Sequence, residues 1–445
     1  MKQTTTPKSN RPTGQSTSRS IRRTLVRRTL VGLSALGIVA CAGGTPNGTT
    51  ADSPATPAPP TTEEPTAQAP EPDPTQDTVS LANRGTGEAC QFVESGFGPT
   101  GQVEVRAEEV VSGLDVPWGI VFLENGDLLV SERPGQIRLV QNGQLQPNPV
   151  ATVNVTASGE GGLLDIEAHP DFANNRLFYV YYTTDRNGVP MNLVERWQLS
   201  EDGQTATADR VIIDDIPVAR FHNGGRLRFG PDGMLYIGTG DASAPDISQD
   251  PNSLGGKILR VTPDGEIPGD NPFGNNPVFI TGLRNTQGFD WFNDTTLWVT
   301  DHGPSGDLGR RGQDKVSVAT AGDNLGWPVL QDCESGEGFI SPALIWRDAV
   351  PPGGAAIYTG NAIPEWQGDL IIGTLGSEHL HRVSFDPEAP YRVQTHEVYF
   401  SGASGLGRIR EVIMGPDNEL YVTTSNCDGR GACPAEGDRI LRITR

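Results

Sequence analysis

From residue 90 onward the chain alternates polar turns with short apolar runs, and one unit recurs six times. A polar turn feeds an apolar, β-branched or aromatic strand at Asn125–Ser131 (NGDLLVS), Asn175–Tyr181 (NRLFYVY) and Asp232–Thr239 (DGMLYIGT). The unit returns at Asn293–Thr300 (NDTTLWVT), Gln367–Thr374 (QGDLIIGT) and Asp417–Thr424 (DNELYVTT). Asn-Gly and Asp-Gly supply the positive φ that tight hairpins need, and the residues after them suit a pleated surface. Several units are followed by a second strand carrying a basic residue, as in Gly135–Val140 (GQIRLV), Gly256–Val261 (GKILRV), His379–Val383 (HLHRV) and Asp438–Ile443 (DRILRI). Sheet units recurring at roughly fifty residues, each too small to bury its own faces, are the pattern of propeller blades. The pattern predicts an all-β chain, a six-bladed β-propeller of four-stranded antiparallel blades, in one domain over 90–445. A pair of β-sandwiches would not explain why each apolar strand follows the same turn chemistry.

The N-terminal fifth follows other rules. Residues 1–28 hold eight bases and no acid, and an apolar run from Leu30 to Ala40 stops at Cys41. That run is about half of the ~20 residues a spanning helix needs, so 1–40 is expected to be a signal peptide. Ile38-Val39-Ala40-Cys41 is similar to a bacterial lipoprotein cleavage box, which implies export and a lipid anchor on Cys41. The arginine pairs before Thr24 and Thr29 leave twin-arginine export open beside the general route. Residues 41–85 are rich in Thr, Pro and Ala and carry little that could form a core, so an extended, disordered tether is expected there.

Charge narrows the partners. Loss of the eight leader bases takes the formal charge from -21 to -29. Such a surface repels phosphate backbones and anionic headgroups, which excludes nucleic acid and leaves the lipid as the only hold on a membrane. Beyond Cys41 the chain has Cys90, Cys333, Cys427 and Cys433. An even count in an exported chain suits two disulfides. Cys427 and Cys433 flank a glycine-rich loop that can close locally, leaving Cys90 for Cys333; four buried thiols are the alternative.

Propeller chemistry sits where loops between strands converge on the channel mouth. His222, in the loop Ala219–Arg226, and Asp241, at the end of the strand that follows, bracket one hairpin. A carboxylate beside an imidazole stabilises the imidazolium formed when the ring takes a proton, as a general base requires. Further polar loops follow at Gly282–Gly288 (GLRNTQG), Thr300–Pro304 (TDHGP), Gly322–Pro328 (GDNLGWP) and Gly407–Glu411 (GRIRE). With Gly159–Phe172, their order from Val110 to Arg445 resembles the soluble glucose and aldose sugar dehydrogenases that use pyrroloquinoline quinone, the glucose/sorbosone dehydrogenase family.

The resemblance implies an oxidoreductase that removes hydride from an aldose or related polyol. On it, His222 is the base, Asp241 orients it, and Arg284 meets the charge that develops on a quinone oxygen. Asn285, Glu160 and His302 take cofactor-contacting positions, and Arg408 with Arg410 grip cofactor carboxylates. Alternation along a strand puts those two arginines on one face. The carbonyls of Gly303 and Pro304 match the ligands of a Ca2+ ion beside the quinone. The reduced cofactor also implies an electron acceptor, which the sequence does not name, nor does it fix the oligomeric state.

Several positions depart from the family pattern. Glu160 stands in place of a glutamine, Gly376 in place of a lysine, and His302 in place of another glutamine. Asp165 and Glu167 put acids where the segment is usually apolar, and Ser305–Asp314 is longer than expected. Lys315 occupies the place of an acidic ligand, which argues against a second calcium. Two other functions stay in view: a non-catalytic propeller that binds a protein or glycan, and a calcium-dependent lactonase, which needs acids converging on the axis.

Overall fold

The computed structural model describes Leu81 and residues 84–445. The expected signal peptide, Cys41 and nearly all of the tether lie outside the described residues. Within them, strands form six antiparallel sheets in chain order. Blade 1 comprises Pro117–Phe122, Leu128–Glu132, Gln136–Gln141 and Gln144–Leu145, with Ala151–Thr152 added beside its third strand. Blade 2 comprises Leu163–Ala168, Leu177–Arg186, Val189–Leu199 and Ala206–Ile216; blade 3, Leu227–Phe229, Leu235–Gly238, Ile258–Val261 and Val278–Ile280. Blade 4 holds Gly288–Asn293, Thr296–Asp301, Lys315–Ala319 and Leu344–Trp346; blade 5, Pro352–Ile357, Leu370–Thr374, Leu380–Asp386 and Ala389–Tyr399. Blade 6 takes Ile409–Met414, Leu420–Thr424 and Asp438–Thr444 from the C-terminal end and Arg106–Leu114 from the other end of the domain. The six-bladed propeller read from the repeats is therefore the fold, and every repeat unit is the second strand of its blade.

Alternation explains the packing. In the second strand of blade 1, Leu129 joins Ile166 and Phe178 of blade 2, while Leu128 and Val130 join Tyr421 and Ile440 of blade 6. Successive side chains point to opposite faces of a strand, so each blade buries both faces against its neighbours. The apolar core consequently divides into six clusters, one at each junction between consecutive blades. Each fully buried aliphatic or aromatic side chain there contributes about 1.5–3 kcal/mol.

Two devices hold the ends. Arg106–Leu114 pairs antiparallel with the last strand, Ala107 opposite Ile443, and closes the ring without a covalent bond. Gln91–Val93 runs parallel to Leu344–Trp346, and the Cys90–Cys333 disulfide ties that segment down. Cys427–Cys433 closes a short loop after the second strand of blade 6. Both pairings read from the sequence are present.

The first strands of neighbouring blades touch around the axis. They explain the two acids that looked misplaced. Asp165 pairs with Arg226 at 2.9 Å, Glu411 pairs with Arg226 and, at 3.0 Å, with Arg228, and Glu167 lies 3.4 Å from Arg228. Burial raises the pKa of both Asp165 and Glu167, and the arginines oppose it. Asp165 and Glu411 are counter-ions of an axial cluster, and Glu167, pushed up to about 8 by burial, stands at its edge.

Candidate active site

Two loops of blade 3 carry the predicted base and its partner. His222 sits at φ 61°, in the left-handed region, which a side chain larger than glycine occupies only when its surroundings compel it. The loop closes onto the end of the second strand so tightly that a Cβ at Gly240 would lie 2.0 Å from the His222 carbonyl oxygen. Glycine at 240 is thus what lets His222 reach Asp241. The His222 Nδ1 to Asp241 Oδ1 distance is 2.7 Å, and both side chains are buried.

Arg284 fixes the tautomer. Its Nη2 donates to His222 Nε2 at 2.7 Å. A guanidinium has no acceptor, so Nε2 carries the lone pair and Nδ1 carries the proton donated to Asp241. That is the arrangement in which Nε2 can receive a proton. The peptide N–H groups of Arg284 and Asn285 both donate to the Asp301 carboxylate, at 3.0 and 2.8 Å, while the Arg284 carbonyl accepts from Asp241 N at 2.7 Å. Asn285 Oδ1 accepts from Gly224 N at 2.9 Å, and its Nδ2 is buried without a partner.

Beside this chain lies a cavity of about 240 Å3. Arg133, Arg408, Arg410 and Arg430 line it against the carboxylates of Glu160 and Asp428. The chain is acidic overall, yet this cavity is cationic. Arg408 donates to Asp428 at 2.7 Å, and Arg410 lies 3.8 Å from the same carboxylate, so the two arginines do share one face. Burial, reinforced by Arg408, brings Arg410 down to about 9. Its Nε has no hydrogen-bond partner, and its Nη1 donates to Gln287 at 2.6 Å. Burial pushes Asp428 up, but Arg408 and Arg410 bring it below the usual carboxylate range. An arginine held so unfavourably, with an unpaired donor, is prepared for an anion.

Glu160 and His302 also line the cavity. Glu160 joins it to the chain of Asp241, His222 and Arg284, accepting from His222 N at 2.8 Å and from Arg430 at 3.1 Å. His302 donates Nε2–H to the Pro352 carbonyl at 2.5 Å, and burial lowers its pKa to about 3, so its ring is neutral. His222 and Arg284 do not line the cavity; they adjoin it through Glu160 and through the loop that begins at Ser305. Gly303 and Pro304 are buried next to His302, and Asp314 holds Gly303 N at 2.8 Å. Lys315 is buried 3.8 Å from Asp301 and is its counter-ion.

Residues 114–441 match the glucose/sorbosone dehydrogenase family. The chain belongs to that family. It is 32% identical to aldose sugar dehydrogenase YliI of Escherichia coli K12, over 73% of this chain and 91% of that one. Among solved structures, a Thermus thermophilus protein described as an oxidoreductase (glucose dehydrogenase) is 40% identical, covers 76% of this chain and 100% of its own, and superposes with a TM-score of 0.70. The PQQ-bound aldose sugar dehydrogenase of Streptomyces coelicolor is 34% identical, over 78% of this chain and 99% of that one, with a TM-score of 0.68.

Five polar residues of this glucose/sorbosone dehydrogenase site escaped the sequence reading. Arg133 comes from a blade 1 turn, Asp428 and Arg430 from the disulfide-closed loop, Asp307 from the extended segment, and Trp327 from a loop after blade 4's third strand. Trp327 reads as an ordinary buried tryptophan, and it is 2% exposed, but its Nε1–H donates to Asp241 Oδ2 at 2.9 Å. Gly376 lines the cavity, and Arg133 and Arg430 supply charge in the same space.

Proposed function

We propose that this glucose/sorbosone dehydrogenase oxidises an aldose sugar or related polyol, with pyrroloquinoline quinone held in the cationic cavity. The unpaired Arg410 Nε among four guanidinium groups carries the reading, because it fits a flat polycarboxylate and little else of sugar size. Arg408, Arg410, Arg133 and Arg430 would hold the cofactor carboxylates, with Asn285 Nδ2 as a further free donor. When bound, the quinone supplies the hydride acceptor. His222 Nε2 takes the hydroxyl proton of the substrate once Arg284 Nη2 gives up its contact there. Asp241 stabilises the imidazolium that results, and Arg284 stands ready to donate to developing negative charge. The substrate loses one hydride and one proton, so an aldose leaves as its lactone.

Calcium fits less well. Among the described residues no three His, Cys, Asp or Glu side chains gather to hold a metal, so an ion at the Gly303 and Pro304 carbonyls would depend on main-chain oxygens and on the cofactor itself. The lactonase alternative meets a different obstacle: acids do converge on the axis, but Arg226 and Arg228 occupy them.

Export and a lipid anchor at Cys41 complete the proposal. They rest on the leader pattern, and two disulfides suit an oxidising compartment. Labelling with radioactive palmitate, lost in Cys41→Ser, tests the anchor. The function is tested by mixing purified protein with quinone and calcium, then adding an aldose and a dye acceptor. Quinone-dependent dye reduction is expected, falling about 10²- to 10⁴-fold in His222→Ala. Lactone hydrolysis without quinone, or no turnover at all, would refute it.

A further inference from the structure

The extended segment forms a hairpin over the catalytic chain. Ser305 and Arg311 pair as an isolated antiparallel bridge, Gly306 N donates to the Arg310 carbonyl at 2.9 Å, and Arg310 reaches the Pro328 carbonyl at 3.2 Å. At its tip, Asp307 accepts from Arg284 Nε at 2.8 Å and also from Nη2, the nitrogen that contacts His222 Nε2. The Asp307 carboxylate and the proton-accepting nitrogen thus share one guanidinium atom. Partial burial pushes Asp307 up, but Arg284 holds it below the ordinary range, so it is ionised. Its side chain stays 33% exposed where that of Arg284 is 2% exposed. A hydroxyl presented to His222 Nε2 must therefore arrive alongside this carboxylate.

Charge is divided across the site. Arg133, Arg408, Arg410 and Arg430 lie on the cavity side. On the His222 side the basic group in contact is Arg284, buried and paired with Asp307, so that Asp307 is the exposed member of that pair, while Arg430 is committed to Glu160 at 3.1 Å. We propose that Asp307 is a specificity-determining residue: its carboxylate favours an aldose with a cationic amine near the oxidised carbon and disfavours sugar acids. The inference rests on the dehydrogenase reading above. A single charge at a partly solvated distance of this order changes kcat/KM by about tenfold in each direction.

The experiment uses quinone-loaded protein with glucose, glucosamine and glucuronate in the dye-linked assay, for the wild type, Asp307→Asn and Asp307→Glu. The wild type is expected to favour glucosamine over glucuronate by about 100-fold, and Asp307→Asn to narrow that ratio about tenfold or more. Asp307→Glu should restore it, and added salt should compress the ratio in the wild type but not in Asp307→Asn. Those last two results separate a charge effect from a structural one. Turnover of glucose with the same ratio in wild type and Asp307→Asn overturns this proposal alone. No turnover of any sugar overturns the dehydrogenase reading and this proposal with it.

Discussion

Replacing Trp327 with phenylalanine removes one hydrogen bond and little else from the site. Asp241 is fully buried and receives three donors: His222 Nδ1 and Ser243 N on Oδ1, at 2.7 and 2.8 Å, and Trp327 Nε1 on Oδ2 at 2.9 Å. Phenylalanine keeps most of the ring that faces Arg284 at 5.8 Å, while Oδ2 loses its donor. A hydrogen bond to a charged group is worth about 1.5–3 kcal/mol. If Asp241 works by stabilising the His222 imidazolium, the loss falls on the step that forms it. The expected result is a kcat lowered about 10- to 100-fold. KM should change less than about twofold, since the buried Trp327 acts through its hydrogen bond to Asp241. Steady-state dye reduction with quinone-loaded protein measures both constants. In an Asp241→Asn background the carboxylate is already gone, so adding Trp327→Phe should cost little more, and the cycle should be strongly non-additive. A kcat within twofold of wild type, or costs that simply add, would show that Trp327 supports the fold and not the base.

Three further outcomes follow from buried charge and buried imidazoles. Arg226→Met leaves Asp165 and Glu411 only Arg228 to share, and urea unfolding should show a loss of about 3 kcal/mol; a loss below about 1 kcal/mol would mean that the axial cluster relaxes or hydrates. Arg410→Gln should weaken quinone binding at least tenfold, read by quenching of tryptophan fluorescence, with the melting temperature of the free protein unchanged or raised because a costly buried charge is gone. His379, His381 and His396 form a hydrogen-bonded line, 3.1 and 3.3 Å between successive nitrogens, and burial lowers all three below 6.5, His379 to about 4. With the folded pKa depressed, the unfolded chain takes up protons first as pH falls. The contribution is whole above about pH 6.5 and is lost toward pH 4, on the order of 3 kcal/mol for His379. Melts of wild type and His379→Phe between pH 7 and 4.5 should differ in slope, the mutant losing less, and parallel slopes would refute the assignment.

The blades were legible because each signals itself locally. A polar turn, an apolar strand and a basic third strand lie within one stretch of chain, and the alternation that buries both faces needs no distant information. The closing strand was not legible. Arg106–Leu114 (RAEEVVSGL) carries two acids and two valines with no turn signal, and it becomes a blade strand only because Asp438–Thr444, more than three hundred positions away, offers an open edge. The site divides the same way. His222 and Asp241 flank one hairpin, and Arg408 and Arg410 alternate on one strand, so their grouping could be read from spacing together with the family resemblance. Trp327, Asp307, Arg133 and Arg430 reach the site from four separate loops, and each has an ordinary explanation where it stands in the sequence. Asp165 and Glu167 stood out as acids in an apolar segment, and the reason became visible only with Arg226 and Arg228 across the axis.

The axial cluster bears on cofactor affinity as well as on stability. Gln287 links the two: its side-chain oxygen accepts from Arg410 and its carbonyl from Arg226 at 2.7 Å, while the Trp118 ring lies 5.6 Å from the Arg410 guanidinium and 4.8 Å from that of Arg226. Arg410 is therefore not free to swing toward solvent or toward another acid. It stays in the cavity at a cost visible in its lowered pKa. An incoming polycarboxylate removes that cost and loses little side-chain entropy in doing so, because the guanidinium is already in place. An acidic chain can in this way hold a polyanionic cofactor tightly without a covalent link, and the acids that anchor Arg226 on the axis are part of the reason.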